Sequence, residues 1–336
     1  MKKMILFLLL ICVSFNINAS IVVMDADSGR VLYSKNGDQI KLIASTTKIM
    51  TTIVALENAS LDKKIKVGKE IYDAYGSMTY IKEGEVFTLE DLLKGLMLQS
   101  GNDAALTIAN NIMPYNNFIN QMNLKAYKLG MYNTIFENPH GLNDETKNTS
   151  TAYDMALLMK YAIKNKDFIN ITNIKEHRVK SYVWYNKNKL LSEYDYLISG
   201  KIGYTKASGQ VFVSAAKKDN KTLIVVSIDE ADKFNLHKKL YEKYFDLYER
   251  YKVLDKDTFS FKVKNSLNNH YYIKNDFYML LNKNEIDDLN IKINTNKYKN
   301  IVNIYLKDKL IHSEKIYILE YKTRVNKLRE LLLFWK

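Results

Sequence analysis

Cysteine, proline and glycine are scarce in this chain, at one, two and twelve residues out of 336. The single cysteine, Cys12, sits among the first twenty residues, so a form lacking that segment has neither a disulfide framework nor a cysteine zinc site. So little glycine and proline excludes collagen-like and low-complexity chains. No apolar run approaches the roughly 20 residues that cross a bilayer. The five histidines, His140, His177, His237, His270 and His312, form no helical pair of the His-x-x-x-His kind, and no Gly-x-Ser-x-Gly elbow occurs. Neither a metal nor a cofactor is expected.

What is present is a globular composition, 47% hydrophobic and 26% charged, long enough for two domains. Basic residues outnumber acidic ones, 50 to 37, for a net charge of +13. Charge alone does not choose between nucleic acid, a membrane surface and an anionic polymer. The N-terminus bears on that choice. Lys2 and Lys3 precede an apolar run at 4–13, and a short polar stretch leads to Ala19, the pattern of a secretory signal at 1–19. Ile17 departs from the small residue usual three positions before cleavage. Its removal takes away two lysines and the cysteine and lowers the excess to +11. Export sets nucleic acid aside as a partner and points the basic surface at an anionic membrane or cell wall.

The spacing of apolar residues then predicts the organisation. Residues 21–24 and 30–33 flank Asp-Ala-Asp-Ser-Gly and read as a hairpin. Residues 45–58 carry Ile49, Met50, Ile53, Val54 and Leu56 without Gly or Pro, a buried helix. Thr88 and Asp91 form a capping-box pair ahead of Leu89, Leu92, Leu93, Leu96 and Met97. That helix breaks at Ser100-Gly101-Asn102, and a second follows to 112, capped by Asn102 or Asp103. Strands are predicted at 201–204, 210–216 and 223–228 as an antiparallel meander, then a helix from Lys233 with Leu236, Leu240, Tyr244, Leu247 and Tyr251 on one stripe. Strands at both ends with helices between give an α+β domain whose N-terminal hairpin joins the later strands. Beyond Lys252 the period becomes two, with Phe259, Phe261 and Val263, then Leu289, Ile291 and Ile293, which predicts a small β domain over 252–318. Residues 319–336 read as a basic amphipathic helix suited to a membrane interface, with docking on the β domain as the alternative.

A metal-free acyl transfer needs an oxygen nucleophile within reach of a base, which Ser-x-x-Lys at a helix start supplies on one face. The pattern occurs at Ser45/Lys48, Ser60/Lys63 and Ser214/Lys217. Ser214 lies in a predicted strand, where i and i+3 face opposite ways, and Ser60 in a polar turn. Only Ser45/Lys48 opens a buried helix, where desolvation favours a neutral lysine base. Two more clusters follow: Ser100 and Asn102 in a tight break, and Lys201-Ile202-Gly203 on a strand whose glycine lets a ligand approach the backbone.

In this order the three clusters resemble the Ser-x-x-Lys, Ser-x-Asn and Lys-Thr-Gly set of penicillin-recognising serine enzymes. The chain resembles the low-molecular-mass penicillin-binding D-alanyl-D-alanine carboxypeptidases. The likeness covers about 21–251, through DADSGRVLYSKN (25–36), IASTTKIMT (43–51), LQSGNDAA (98–105), NPHGL (138–142), STAYDMA (150–156) and KIGYT (201–205). It implies an α+β fold of the serine transpeptidase and β-lactamase kind: an antiparallel sheet with a helical cluster over 20–251, a small β domain, and in many members an amphipathic anchor helix. It implies Ser45 as nucleophile, Lys48 as base, Ser100 as proton relay and Asn102 as the residue holding Lys48 and the substrate amide. Lys201, Gly203 and Thr205 would bind substrate, with the Ser45 amide and one near Thr205 as oxyanion hole. The implied partners are peptidoglycan stem peptides, β-lactams as covalent inhibitors, and an anionic membrane outside the cytoplasm.

Two departures stand out. Ile202 replaces the Thr whose hydroxyl helps bind the substrate carboxylate, which weakens rather than abolishes catalysis and shifts that task to Thr205 and Lys201. Asn148 stands where the family often has His, with no mechanistic reading from sequence. A β-lactamase would need a second base, and no glutamate is identifiable for it. A DD-endopeptidase and a non-catalytic or penicillin-binding-only wall scaffold are the remaining alternatives.

Overall fold

A computed structural model describes residues 18–261, 269–295 and 300–320. The expected signal segment lies outside these residues except for Asn18 and Ala19. The expected C-terminal helix lies outside them except for Leu319 and Glu320, which end a strand, Tyr317–Glu320, rather than beginning a helix. The chain divides into two compact units, one holding residues up to 23, 33–215 and 224–239, the other 24–32, 216–223 and from 240 onward.

The predicted hairpin forms as β1, Ser20–Asp25, and β2, Val31–Lys35. The later meander forms as β3, Leu197–Thr205, β4, Gly209–Lys218, and β5, Lys221–Ile228. Its connections are too short for a crossover, so neighbours run antiparallel. The sheet order is β2-β1-β5-β4-β3, so the hairpin joins the later strands and β3 is an edge. Residues 211–216 and 223–228 are buried at every position, as expected of strands covered on both faces.

A 3-10 turn, Ala44–Thr47, leads into α1, Lys48–Asn58, whose first eight residues are all buried. Its Ile, Val and Thr content is poor for an isolated helix, and burial of nearly the whole circumference overrides that propensity. Helix α2, Leu89–Lys94, carries the predicted box: Thr88 Oγ1 accepts from the Asp91 amide, and the Asp91 carboxylate accepts from the Thr88 amide. Gly95–Gln99 then widens into a π turn. Helix α3, Asn102–Ile112, has Gly101 at the capping position, not Asn102 or Asp103. Both of those side chains are committed elsewhere.

The helix Lys233–Leu247 holds Leu236, Leu240 and Tyr244 buried, but Leu247 is half exposed and Tyr251 lies in the next strand, Glu249–Leu254. The predicted stripe is cut short because the buried Lys221 ammonium donates to the Phe245 and Tyr248 carbonyls, at 2.6 and 3.0 Å, and ends the helix there. In the second unit Glu249–Leu254 pairs with Phe277–Leu281, Asn269–Tyr272 with Tyr317–Glu320, and Leu289–Thr295, Asn300–Leu306 and Lys309–Lys315 form a three-stranded sheet. Leu254, Tyr271, Met279, Leu281, Val302 and Ile304 form its core. Phe259 and Phe261 pack against that core from irregular chain rather than from a strand, and Val263 lies outside the described residues. Ile291 and Ile293 are on a strand as predicted, yet both are exposed. The fold is α+β. Among the described residues no helix is long and apolar enough to cross a membrane.

Candidate active site

The three Ser-x-x-Lys patterns separate clearly. Lys63 Nζ donates to the Asn111 carbonyl, and Ser214 is buried in β4 against the His237 ring, its Oγ 2.7 Å from Nδ1. Only in Ser45 and Lys48 do the two side chains pair among these described residues, with Lys48 Nζ 3.0 Å from Ser45 Oγ. The 3-10 turn leaves Ser45 half-buried while Lys48, one turn on, is wholly buried. That ammonium also donates to Asn102 Oδ1 and to the His140 carbonyl, both at 2.7 Å.

Asn102 arrives from the break that separates the π turn from α3. Ser100 there is left-handed, with φ of 65°, and its amide donates back to the Gly95 carbonyl. Asn102 opens α3 but turns its side chain away from the helix: Oδ1 faces Lys48 and Nδ2 donates to the Tyr75 carbonyl at 2.5 Å. From the sheet edge, Lys201 is buried and donates to Ser100 Oγ at 3.1 Å and to the Ile202 carbonyl at 3.1 Å. Gly203, on the same face of β3 as Lys201, backs onto the nucleophile turn. A Cβ there would stand 3.0 Å from the Ser45 amide nitrogen and 3.1 Å from Ala44 Cβ. Ser45, Lys48, Ser100, Asn102, Lys201 and Gly203 are thus brought together. Thr205 is engaged with Ser208, its hydroxyl 3.0 Å from Ser208 Oγ. Ile202 is half-buried on the alternate side of the strand from Lys201.

Burial, then the nearby Lys201 charge, holds Lys48 well below the ordinary lysine range. Burial, then Lys187, lowers Lys201 to about 7. Lys187, exposed at the surface and lowered by desolvation, is a third cation in this field that sequence reading passed over. The His140 ring is lowered to about 3 by burial and then by Lys48, so it is neutral; its part is its carbonyl, in keeping with a loop residue rather than a base. Asn148 now has a reading. Its Oδ1 accepts from the Glu137 and Asn138 amides, and its Nδ2 donates to Thr47 Oγ1 and the Asn138 carbonyl, both at 2.9 Å. It staples the loop bearing His140 to the residue before Lys48. Among the described residues no group of three or more His, Cys, Asp or Glu is placed to hold a metal ion.

A buried amine poised to be neutral, one bond from a half-exposed hydroxyl and flanked by a second Lys–Ser pair, can accept a proton from the hydroxyl as it attacks a carbonyl. Residues 15–232 match the family model described as D-alanyl-D-alanine carboxypeptidase. The chain is 34% identical over 220 residues to the D-alanyl-D-alanine carboxypeptidase DacF of Bacillus subtilis (strain 168), across 62% of this chain and 56% of that protein, so it spans little more than half of that relative. It is 34% identical over 241 residues to the D-alanyl-D-alanine endopeptidase of Haemophilus influenzae, across 68% of this chain and 81% of the relative. Among solved structures, penicillin binding protein 5 from Haemophilus influenzae superposes with a TM-score of 0.76 at 23% identity, covering 90% of this chain and 96% of that one, a likeness of fold. With the family model matched over well over half its length, the chain belongs to the D-alanyl-D-alanine carboxypeptidase family of serine peptidases.

Proposed function

We propose that this chain is a serine-type D-alanyl-D-alanine carboxypeptidase that trims peptidoglycan stem peptides through an acyl-enzyme on Ser45. The observation that carries this reading is the double pairing of Lys48 with Ser45 and of Lys201 with Ser100, two buried lysines close enough for the Lys201 charge to act on Lys48. Neutral Lys48 takes the Ser45 proton as Oγ attacks the penultimate D-Ala carbonyl. The oxyanion is met by the Ser45 amide and one from β3 near Thr205. The peptide C–N bond breaks, Ser100 passes a proton to the departing D-Ala amine, and Asn102 orients Lys48 and the substrate amide. Water then attacks the ester, returning Ser45 as a hydroxyl and freeing the shortened peptide as a carboxylic acid. Lys201 supplies charge for the terminal carboxylate, aided by Thr205 in place of the hydroxyl that Ile202 lacks. β-Lactams acylate the same serine.

The finer reading places the enzyme outside the cytoplasm. Lys2, Lys3 and the apolar run at 4–13 support export, and the basic amphipathic pattern at 321–336 supports an anchor to an anionic membrane surface beyond the β domain that ends with the strand Tyr317–Glu320. Deleting 321–336 is expected to release the protein from membranes, and continued sedimentation with them would refute the anchor.

The test is fluorescent penicillin on the mature chain with Ser45→Ala as control, followed by D-Ala release from a pentapeptide and from a cross-linked dimer. Labelling lost in the variant, with release from the pentapeptide, is the expected result. Release from the dimer alone favours an endopeptidase, the activity named in the Haemophilus relative. No labelling favours a non-catalytic wall-binding protein.

A further inference from the structure

Asp103 is fully buried at the start of α3 and, among the described residues, has no ion-pair partner that would explain a charge there. Its carboxylate is satisfied by backbone instead. Oδ1 and Oδ2 accept from the Thr79 amide at 2.9 and 3.0 Å, Oδ2 also from the Tyr80 amide at 2.8 Å, and Oδ1 from the Ala104 amide at 2.9 Å. The segment it grips is otherwise an unfavourable one: Tyr80 is a non-glycine residue at φ of 63° with an exposed ring. Left-handed backbone at such a residue is strained and persists only where the surroundings enforce it. Ala44 and Ser100 are also left-handed, so residues of this kind flank the nucleophile, form the Ser-x-Asn turn and lie under the Asp103 grip.

The Thr79 peptide is boxed on its other sides too. Its carbonyl accepts from Trp184 Nε1 at 3.2 Å. Its methyl fills the space that side chains at Gly95 and Gly101 would occupy, at 2.8 and 2.5 Å from a Cβ at each. Gly95 and Gly101 bracket Ser100. The Thr79–Tyr80 segment is therefore a wall built against the turn that presents Ser100 and Asn102, and the Ser77 carbonyl accepts the Asn102 amide at 2.8 Å.

We propose that Asp103 is a positioning residue for the reaction: one buried carboxylate both holds the Thr79–Tyr80 wall against the Ser100–Asn102 turn and supplies negative charge that acts on Lys48. This rests on the acyl transfer at Ser45 described above. Around this carboxylate Lys48 senses Asp103, Lys201 and Lys187, Lys201 senses Lys187, His140 senses Lys48, and Tyr182 senses Glu85 and Asp103. His140, lowered to about 3, and Tyr182, raised to about 12, keep one protonation state through the working range. Asp103 favours the ammonium form of Lys48, against burial, Lys201 and Lys187.

The sign follows. Asp103→Asn removes the charge, so Lys48 becomes neutral at lower pH and the acid limb of the acylation profile moves to lower pH. It also turns one acceptor oxygen into a donor facing backbone N–H groups, so the rate at the optimum falls by about tenfold or more. Trp184→Phe loosens the same wall without touching charge; its rate falls with the acid limb unmoved. The measurement is the second-order rate of Ser45 labelling by fluorescent penicillin against pH, in wild type and both variants, with amide exchange at Thr79 and Tyr80. A displaced limb in Asp103→Asn alone, with faster exchange at both amides, is expected. Identical profiles in the two variants, or an unchanged rate in Asp103→Asn, overturn the proposal while leaving acylation at Ser45 intact. If Asp103→Asn does not fold, Asp103→Ser takes its place, and failure of both to fold makes Asp103 a structural residue only and also overturns it. An unlabelled wild type fails the acyl-enzyme reading first and this proposal with it.

Discussion

Lys48 and Asn102, fifty-four residues apart in the chain, are joined by a buried hydrogen bond of 2.7 Å from Nζ to Oδ1. The same amide ties itself to the Tyr75 carbonyl, so the base is held from the nucleophile helix, from α3 and from the loop at His140 at once. An amine held by Asn102 Oδ1, the His140 carbonyl and the Ser45 hydroxyl, and cut off from water, has little rotamer freedom left. It meets Ser45 in one geometry, which is what proton transfer over 3.0 Å requires.

Lysine burial sets the pH dependence of stability. Lys201 titrates near 7 in the folded chain, against about 10.4 when unfolded. Between those values the unfolded chain binds more protons, so stability rises with pH over that window. Lys48, shifted in the same direction, adds to it. Melting temperatures from pH 6 to 9.5 are expected to climb more steeply for wild type than for Lys201→Met. Parallel curves would contradict the buried, depressed lysine.

Gly203 offers a test of close approach. An alanine methyl would stand 3.0 Å from the Ser45 amide nitrogen and 3.2 Å from the Ile43 carbonyl oxygen, pressing β3 off the nucleophile turn. A displacement of about 1 Å at reacting groups costs on the order of a hundredfold in rate. Gly203→Ala should therefore label with penicillin far more slowly while its circular dichroism stays that of wild type; labelling at the wild-type rate would show that β3 does not frame the site.

Asn148→Ala removes the acceptor of two amides and the donor to Thr47. Each buried group left without a partner costs about 1–3 kcal/mol. Urea denaturation should show a loss in that range or above, with slower acylation as the His140 loop loosens from Lys48. A midpoint equal to that of wild type would dismiss the staple.

Ile202→Thr restores a hydroxyl to the edge strand. A hydrogen bond to a charged group is worth about 1.5–3 kcal/mol, so acylation and D-Ala release should rise by roughly ten- to a hundredfold. Rates unchanged by the substitution would mean that carboxylate binding never lacked that bond.

The helix start at Ser45 and Lys48 was readable because i and i+3 on one turn is a local rule, and the capping box at Thr88 and Asp91 is equally local. The meander was readable because alternation and short turns leave few ways to pair. Less local features were not. Tyr251 fits a helical stripe that in fact stops at Leu247, where Lys221 at the start of β5 takes the Phe245 and Tyr248 carbonyls on either side of the helix end. Asn102 and Asp103 looked like helix caps, and both spend their side chains on other segments. Asn148 carried no signal because an amide becomes a staple only when four partners converge on it.

The sequence by itself determined the α+β class, the helix that carries the serine and lysine, and the order of the three clusters, because each depends on periodicity or spacing within one element. Only the tertiary structure decided which lysines are held below their ordinary range and what holds them. Burial, a backbone carbonyl at His140 and a carboxylate at Asp103 act through space on groups far away in the chain, and the desolvation that tunes Lys48 and Lys201 exists only once the sheet edge and the helices have closed around them.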